Sequence, residues 1–281
     1  MSDLHATEPK KAKVIHFSTG YWSIKGLGAP IRMMLCWSGV PFESVCYDVS
    51  MDSTTGALDA RSWFTPKKDL KLRNPFVNLP YVRAGERGVV SQTNACMSYL
   101  GRKLGMWGET EEEVVMCETL LSEIMDLRNQ MTKYSYSQDF DKTEQDGKDL
   151  LRGVKGKNGI LQKFELHLGG VQGSGPFLIG AKCTSPDFHF YEMIDQYCTL
   201  STFLSDGDLL EGFPNVRKHY EAFKSNPRNK YYLHSDLNTL PFNNKRARFG
   251  STPGGGRFQK GQEYGWKDVG GAYQGPGEDA K

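Results

Sequence analysis

The sequence predicts three parts: a small α/β domain over residues 13–104, an all-helical domain over 109–240, and an irregular tail over 241–281. Three observations carry this. Short β-rich runs alternate with helical stretches up to Lys103. Helical periodicity then runs almost unbroken to about residue 235. After Leu240 the periodicity stops and the composition changes.

The first domain reads in order. Val14–Ser18 is a strand. Pro30–Gly39 is a helix, with proline in its first turn and glycine as its stop. Phe42–Val49 is a second strand, and a βαβ unit pairs its strands in parallel by default. Leu79–Arg83, the turn "AGERG" and Val89–Val90 read as a hairpin. A helix from Gln92 to Lys103 completes a four-stranded domain. In the second domain "GETEEE" (108–113) places acids at the positive end of a helix. Val114, Cys117, Leu121 and Ile124 mark one face of that helix. Thr184 to Asp187 fits a capping box, followed by a buried stripe of Phe188, Tyr191, Ile194 and Cys198.

Composition excludes several classes. The net charge of +2 gives no case for nucleic acid. Six cysteines stand singly, with no spacing that suits a metal, so free thiols in a reducing compartment are expected. The opening "MSDLHATEPKKAK" has no apolar core, and no run approaches the ~20 apolar residues of a membrane helix. A soluble, cytoplasmic protein with no metal and no membrane contact is the expectation. The tail holds ten glycines, six aromatics, seven Lys/Arg and four Asp/Glu. It cannot bury enough surface to fold alone. Its spaced aromatics and arginines suggest an arm that docks on a large, acidic protein assembly, with a solvated tail and, more weakly, an RNA-binding arm as the alternatives.

The local motifs resemble one family. "GYWSIKGL" (20–27) resembles the mu-class glutathione transferase opening, Gly-Tyr-Trp-Asp-Ile-Arg-Gly-Leu. "FVNLPYV" (76–82), "SQTNA" (91–95), "GETEEE" and Met125-Asp126 resemble further landmarks of that class, in the same order. The resemblance implies a thioredoxin-like domain followed by an all-α domain, the glutathione transferase fold. It also implies glutathione as co-substrate, apolar electrophiles as the other substrate, and a homodimer.

The resemblance assigns roles residue by residue. Tyr21 is the catalytic hydroxyl, because a donor held at the sulfur favours the thiolate. Trp22 beside it is a glutathione-binding residue that also shares the wall of the electrophile pocket. Asn78 and a cis Leu79-Pro80 pair present backbone groups to the cysteinyl unit. Gln92 and Thr93 open a helix whose free amides suit the γ-glutamyl carboxylate. Trp63 and Lys67, four apart, hold the glycine end through an indole N–H and a cation. Asp126 reaches the partner's site, and Phe76 is the aromatic knob of the dimer contact. Ile24, Leu27, Thr132 and Tyr136 line the electrophile pocket, with Tyr134 a competitor for the role of Tyr136. Ser23 and Lys25 stand where the pattern has Asp and Arg. Conjugation, isomerase and peroxidase chemistry would all use the same thiolate. A structural subunit that keeps the fold without catalysis is the alternative reading.

Overall fold

The structure is a computed structural model that describes residues 16–51, 55, 57–85, 88–137, 143–170, 175–257 and 269–273. The first unit contains β1 (Phe17–Trp22), α1 (Gly28–Ser38), β2 (Phe42–Tyr47), a ribbon of β3 (Ser50–Met51) and β4 (Leu58–Asp59), α2 (Arg61–Lys71), β5 (Tyr81–Ala84), β6 (Gly88–Ser91) and α3 (Thr93–Leu104). The helical unit contains α4 (Glu111–Ser135), α5 (Thr143–Lys155), α6 (Ile160–Gly169), α7 (Ser185–Phe203), α8 (Pro214–Ser225) and α9 (Pro227–Leu233). A last strand, β7 (Gly271–Tyr273), follows.

The main sheet has the order β6-β5-β1-β2-β7. β1 and β2 run parallel, as the βαβ reading requires, and β5 and β6 form the expected antiparallel hairpin. β1 lies three residues later than expected and takes in Tyr21, which is therefore a strand residue. Val14 and Ile15 of the expected strand lie outside the described residues. Gly39 ends α1 in the left-handed region at φ 74°, the conformation glycine adopts without penalty.

Both helix starts read from sequence are built as capping boxes. The Glu113 amide donates to Thr110 Oγ1 at 3.2 Å, and the Thr110 amide donates back to Glu113 Oε2 at 3.3 Å. At α7 the Thr184 amide donates to Asp187 Oδ2 at 2.8 Å. The other oxygen of Asp187 accepts from the Leu178 amide and lies 2.9 Å from His219 Nε2. This one carboxylate thus joins α7, α8 and the loop before α7.

The two units share a core. Trp37 of α1 stacks on Phe223 of α8 and meets Phe188 of α7 edge-on. Ser185 Oγ donates to the carbonyls of Met97 and Met106, tying α7 to the end of the first unit.

The tail departs from expectation. Ala247, Arg248 and Phe249 are buried, and Phe249 is fully so. The Phe249 ring lies 6.1 Å from Phe242 and 5.9 Å from Phe203 of α7. The Arg248 amide donates to the Ser135 carbonyl, and its Nε donates to Ser137. Gly250, at φ 72°, lets the chain turn where a Cβ would sit 2.9 Å from Phe242 Cβ. Further on, β7 pairs antiparallel with β2 in the register Phe42↔Tyr273, and those two rings stack at 5.5 Å. The sheet therefore has five strands instead of four. The expectation of an irregular docking arm is corrected for the described part: Phe242, Phe249 and Tyr273 pack on their own chain. The segment cannot fold alone, but the body supplies the surface it covers. Phe258, Tyr264 and Trp266 lie outside the described residues.

Candidate active site

The sheet register brings the predicted glutathione residues to one end. Gly20 pairs with Tyr81, and Tyr81 pairs with Ser91. Tyr21 is thereby level with Pro80, and Gln92 and Thr93 follow from the neighbouring strand. Leu79-Pro80 is cis, as expected. Ser91 Oγ locks this loop, accepting from the Asn78 amide at 2.8 Å and donating to the Asn78 carbonyl at 3.0 Å. Among the described residues no hydrogen bond uses the Leu79 amide or carbonyl. The first turn of α3 has no side-chain cap, and its N-cap residue Gln92 holds φ 75°. Its amides remain free for an anion.

Lys67 lies on α2 with Nζ 3.5 Å from Asn78 Oδ1 and 5.3 Å from the centre of the Trp63 ring. The expected pair is thus joined to the cis-proline loop. Trp63 is 1% exposed and sits in an aromatic cluster with Tyr47 and Tyr81, at 5.1 and 6.1 Å between rings.

Tyr21 is 6% exposed. The loop after it is shaped to its ring: a Cβ on Gly26 would lie 2.9 Å from Tyr21 Cε1, and one on Gly28 would lie 2.7 Å from Cδ1. Burial raises the phenol above its ordinary pKa, while the Leu27 backbone and the nearby Arg128 guanidinium oppose that rise. The hydroxyl therefore stays protonated at neutral pH, a donor in a positive local field.

Arg128 was not singled out in the sequence, although a signal exists. Thr132 and Tyr136 lie four residues apart, and one further step back on the same face is Arg128. Thr132 Oγ1 donates to the Arg128 carbonyl at 3.0 Å. Tyr134 is buried towards Gly147 of α5, where a Cβ would lie 2.8 Å from its hydroxyl. That geometry leaves Tyr136 on the site side.

The other residues expected to line the electrophile pocket are placed as follows. Ile24 is buried, and Trp22 and Leu27 are half-buried on the loop side. The C-terminal segment crosses this region. Its Pro241 and Phe242 carbonyls accept from the Lys25 and Gly26 amides at 2.7 and 3.0 Å. The Asn244 amide donates to the Tyr136 hydroxyl at 3.0 Å, and Lys245 Nζ stands 4.0 Å from Asp48 Oδ1. A narrow cleft remains between Trp22, Ile24, Asp48 and Lys245. The apolar pocket expected from sequence is instead roofed by polar groups of the chain's own C-terminal segment. Burial pushes the Tyr136 phenol up to about 12, so it too is a neutral donor.

Asp126 is exposed on α4, and Phe76 is 81% exposed beside the cis-proline loop. Both positions suit a second subunit. Among the described residues no group of His, Cys, Asp and Glu is arranged to hold a metal, and no helix is long and apolar enough to cross a membrane.

This arrangement is a thioredoxin-like unit set against a helical domain, and comparison with known proteins agrees on the fold. Residues 125–236 match the family model "Glutathione S-transferase, C-terminal domain". Glutathione S-transferase Mu 3 of Homo sapiens is 32% identical over 235 residues, spanning 83% of this chain and 95% of the relative. Glutathione S-transferase Mu 1 of Oryctolagus cuniculus is 34% identical over 216 residues, spanning 77% and 89%. The crystal structure of the glutathione S-transferase Blo t 8 superposes with a TM-score of 0.66 at 25% identity, covering 83% of this chain and 99% of that one. The chain belongs to the glutathione S-transferase family, with mu-class members among its relatives.

Proposed function

We propose that the protein transfers the thiolate of glutathione to soft apolar electrophiles, the chemistry of detoxification, as a cytoplasmic homodimer. The observation that carries this reading is the Tyr21 hydroxyl: buried, neutral, and set beside Arg128 at the end of the strand next to Leu79-Pro80. A free thiol with pKa ~8.5 is mostly protonated at neutral pH. Donation from Tyr21 and the field of Arg128 both favour the anion, which then attacks the acceptor.

The tripeptide is held along its length. The free backbone of Leu79 pairs with the cysteinyl unit. The open turn at Gln92 and Thr93 takes the γ-glutamyl carboxylate, and Asp126 of the partner subunit takes its ammonium. Trp63 and Lys67 take the glycine end, with Asn78 fixing Lys67. Tyr136, beside Ile24, Leu27 and Thr132, donates to negative charge that develops on the acceptor. A non-catalytic structural role has no observation in its favour. The residues that the resemblance assigns to catalysis and glutathione binding are all present in the sequence, and the described tail aromatics pack on their own chain.

The test is Tyr21→Phe in the full chain, compared with wild type for glutathione-affinity retention and conjugation of an activated aryl halide. Loss of a hydrogen bond to a charged group costs ~1.5–3 kcal/mol. Conjugation should slow by about one to two decades with retention preserved. A wild-type protein that neither binds glutathione nor conjugates would overturn the reading.

A further inference from the structure

The loop that seats Tyr21 carries a charge which the transfer reaction does not use. Lys25 is 8% exposed. Lysines on loops normally extend their four-carbon stem until the ammonium reaches water. This one turns inward. Its Nζ lies 4.0 Å from Asp195 Oδ2 on α7 and 4.7 Å from the centre of the Phe242 ring. Its amide donates to the Pro241 carbonyl, so the residue grips the C-terminal segment from both ends.

The groups around it are fixed from every side. From α8, the Tyr220 hydroxyl donates to the other Asp195 oxygen at 2.7 Å. One turn earlier on α7, Glu192 accepts from Gln196 Nε2 at 3.0 Å and is the second carboxyl that feels the Lys25 charge. From α1, the buried Arg32 donates to the Trp22 and Ile24 carbonyls at the start of the loop. From α9, Tyr232 faces Arg32 and Glu192. The far face of the loop, Gly26 and Gly28, presses on the Tyr21 ring. Lys25 thus stands where the tyrosine's loop, the helical domain and the C-terminal segment meet.

We propose that Lys25 is a positioning residue for the transfer reaction: clamped between Asp195 and the Phe242 ring, it sets the seat of the Ser23–Leu27 loop, and through that loop the direction in which the Tyr21 hydroxyl donates. The proposal rests on the reading of Tyr21 as the thiolate-stabilising group. A buried ammonium left without a carboxylate is costly, so the clamp holds its geometry strongly. Removing the charge at constant bulk lets the loop relax, and a donor misdirected by a fraction of an ångström stabilises the anion less.

The experiment compares Lys25→Met, Lys25→Arg and Tyr21→Phe in the full chain. It measures the pH dependence of kcat/KM, the thiolate absorbance of bound glutathione against pH, and glutathione affinity by calorimetry. Lys25→Met should raise the apparent pKa of the bound thiol by about half a unit to one unit. It should lower kcat/KM at neutral pH by about three- to tenfold, with glutathione affinity within about twofold. Lys25→Arg, which keeps the charge, should restore the profile. A Lys25→Met protein that melts earlier but keeps the wild-type thiol pKa overturns the proposal and leaves the Tyr21 reading intact. A Tyr21→Phe protein with an unchanged thiol pKa overturns both. Should Lys25→Met fail to fold, Asp195→Asn removes the other half of the clamp. It must shift the thiol pKa in the same direction, or the proposal falls.

Discussion

The Asn244 amide donates to the Tyr136 hydroxyl across 3.0 Å. This one bond joins the end of α4 to the C-terminal segment over the cleft. It occupies a lone pair of the phenol and leaves its hydrogen free to donate. Tyr136→Phe removes the acceptor and releases the segment at that point. The bond is worth ~1 kcal/mol, or about a fivefold change in the local opening equilibrium. Amide exchange at Asn244 should speed up by that factor, as read by hydrogen exchange of the 241–250 segment. Unchanged exchange there would show that the segment is held by its other contacts.

The dimer prediction turns on Phe76. A phenylalanine at 81% exposure costs solvation unless a partner covers it. Phe76→Ser should weaken self-association by at least ~2 kcal/mol, or about thirtyfold in the dimer dissociation constant, as expected for an aromatic anchor. Sedimentation across a concentration series reads this directly. Glutathione affinity should fall along with it, because Asp126 of the partner subunit is then withdrawn.

Two buried groups give stability opposite slopes with pH. Burial raises the Glu192 carboxyl to about 7. The folded chain therefore keeps a proton that the unfolded chain sheds near 4.5, and stability falls as pH rises from there to about 7. Burial lowers His189 to about 3. Its contribution is fully present above about 6.5 and is lost as pH falls towards 3. Between about pH 4.5 and 6.5 the two effects offset each other. Glu192→Gln removes the first, so between pH 5 and pH 7 the variant should gain about 1–3 kcal/mol relative to wild type. Urea denaturation at those two pH values measures the difference.

Two truncations separate the parts of the tail. Removing 258–281 takes away β7 and the buried Val269, and conjugation should survive. Removing 241–281 also uncovers the surfaces packed by Phe242 and Phe249. Each buried aromatic is worth ~1.5–3 kcal/mol, so this second truncation should lose about 3–6 kcal/mol. Thermal unfolding of both forms should show a small decrease for the first and a large one for the second.

Much of this was legible in the residues themselves. Pro30 in the first turn and Gly39 at the end mark α1, the acids of "GETEEE" and the capping box at Thr184 begin α4 and α7, and Tyr21, Leu79-Pro80 and Thr93 arrive at one sheet end because strand order puts them there. What was missed has physical reasons. α2 buries only Trp63 and Leu70 and carries Pro66, so it has too few apolar positions to show a period. β3 and β4 are two residues each, below any pattern. Arg128 shows no local signal of its role because Tyr21, whose hydroxyl feels its charge, lies in the other unit. The tail was misread because composition measures what a segment can bury against itself. Phe42 and Tyr273, which stack on each other, share no local pattern.

The pairing of β7 with β2 also fixes an order of events. The strand that completes the first sheet is made last, after the whole helical unit. As the chain emerges from the ribosome, the α/β unit has an unpaired edge at β2 until β7 has been made. Closing so long a loop costs little more than closing a moderate one, because the entropy grows only with the logarithm of length. The delay is therefore one of timing more than of energy. An exposed strand edge is a template for other chains, and β2 keeps such an edge until residues 271–273 have followed the helical unit.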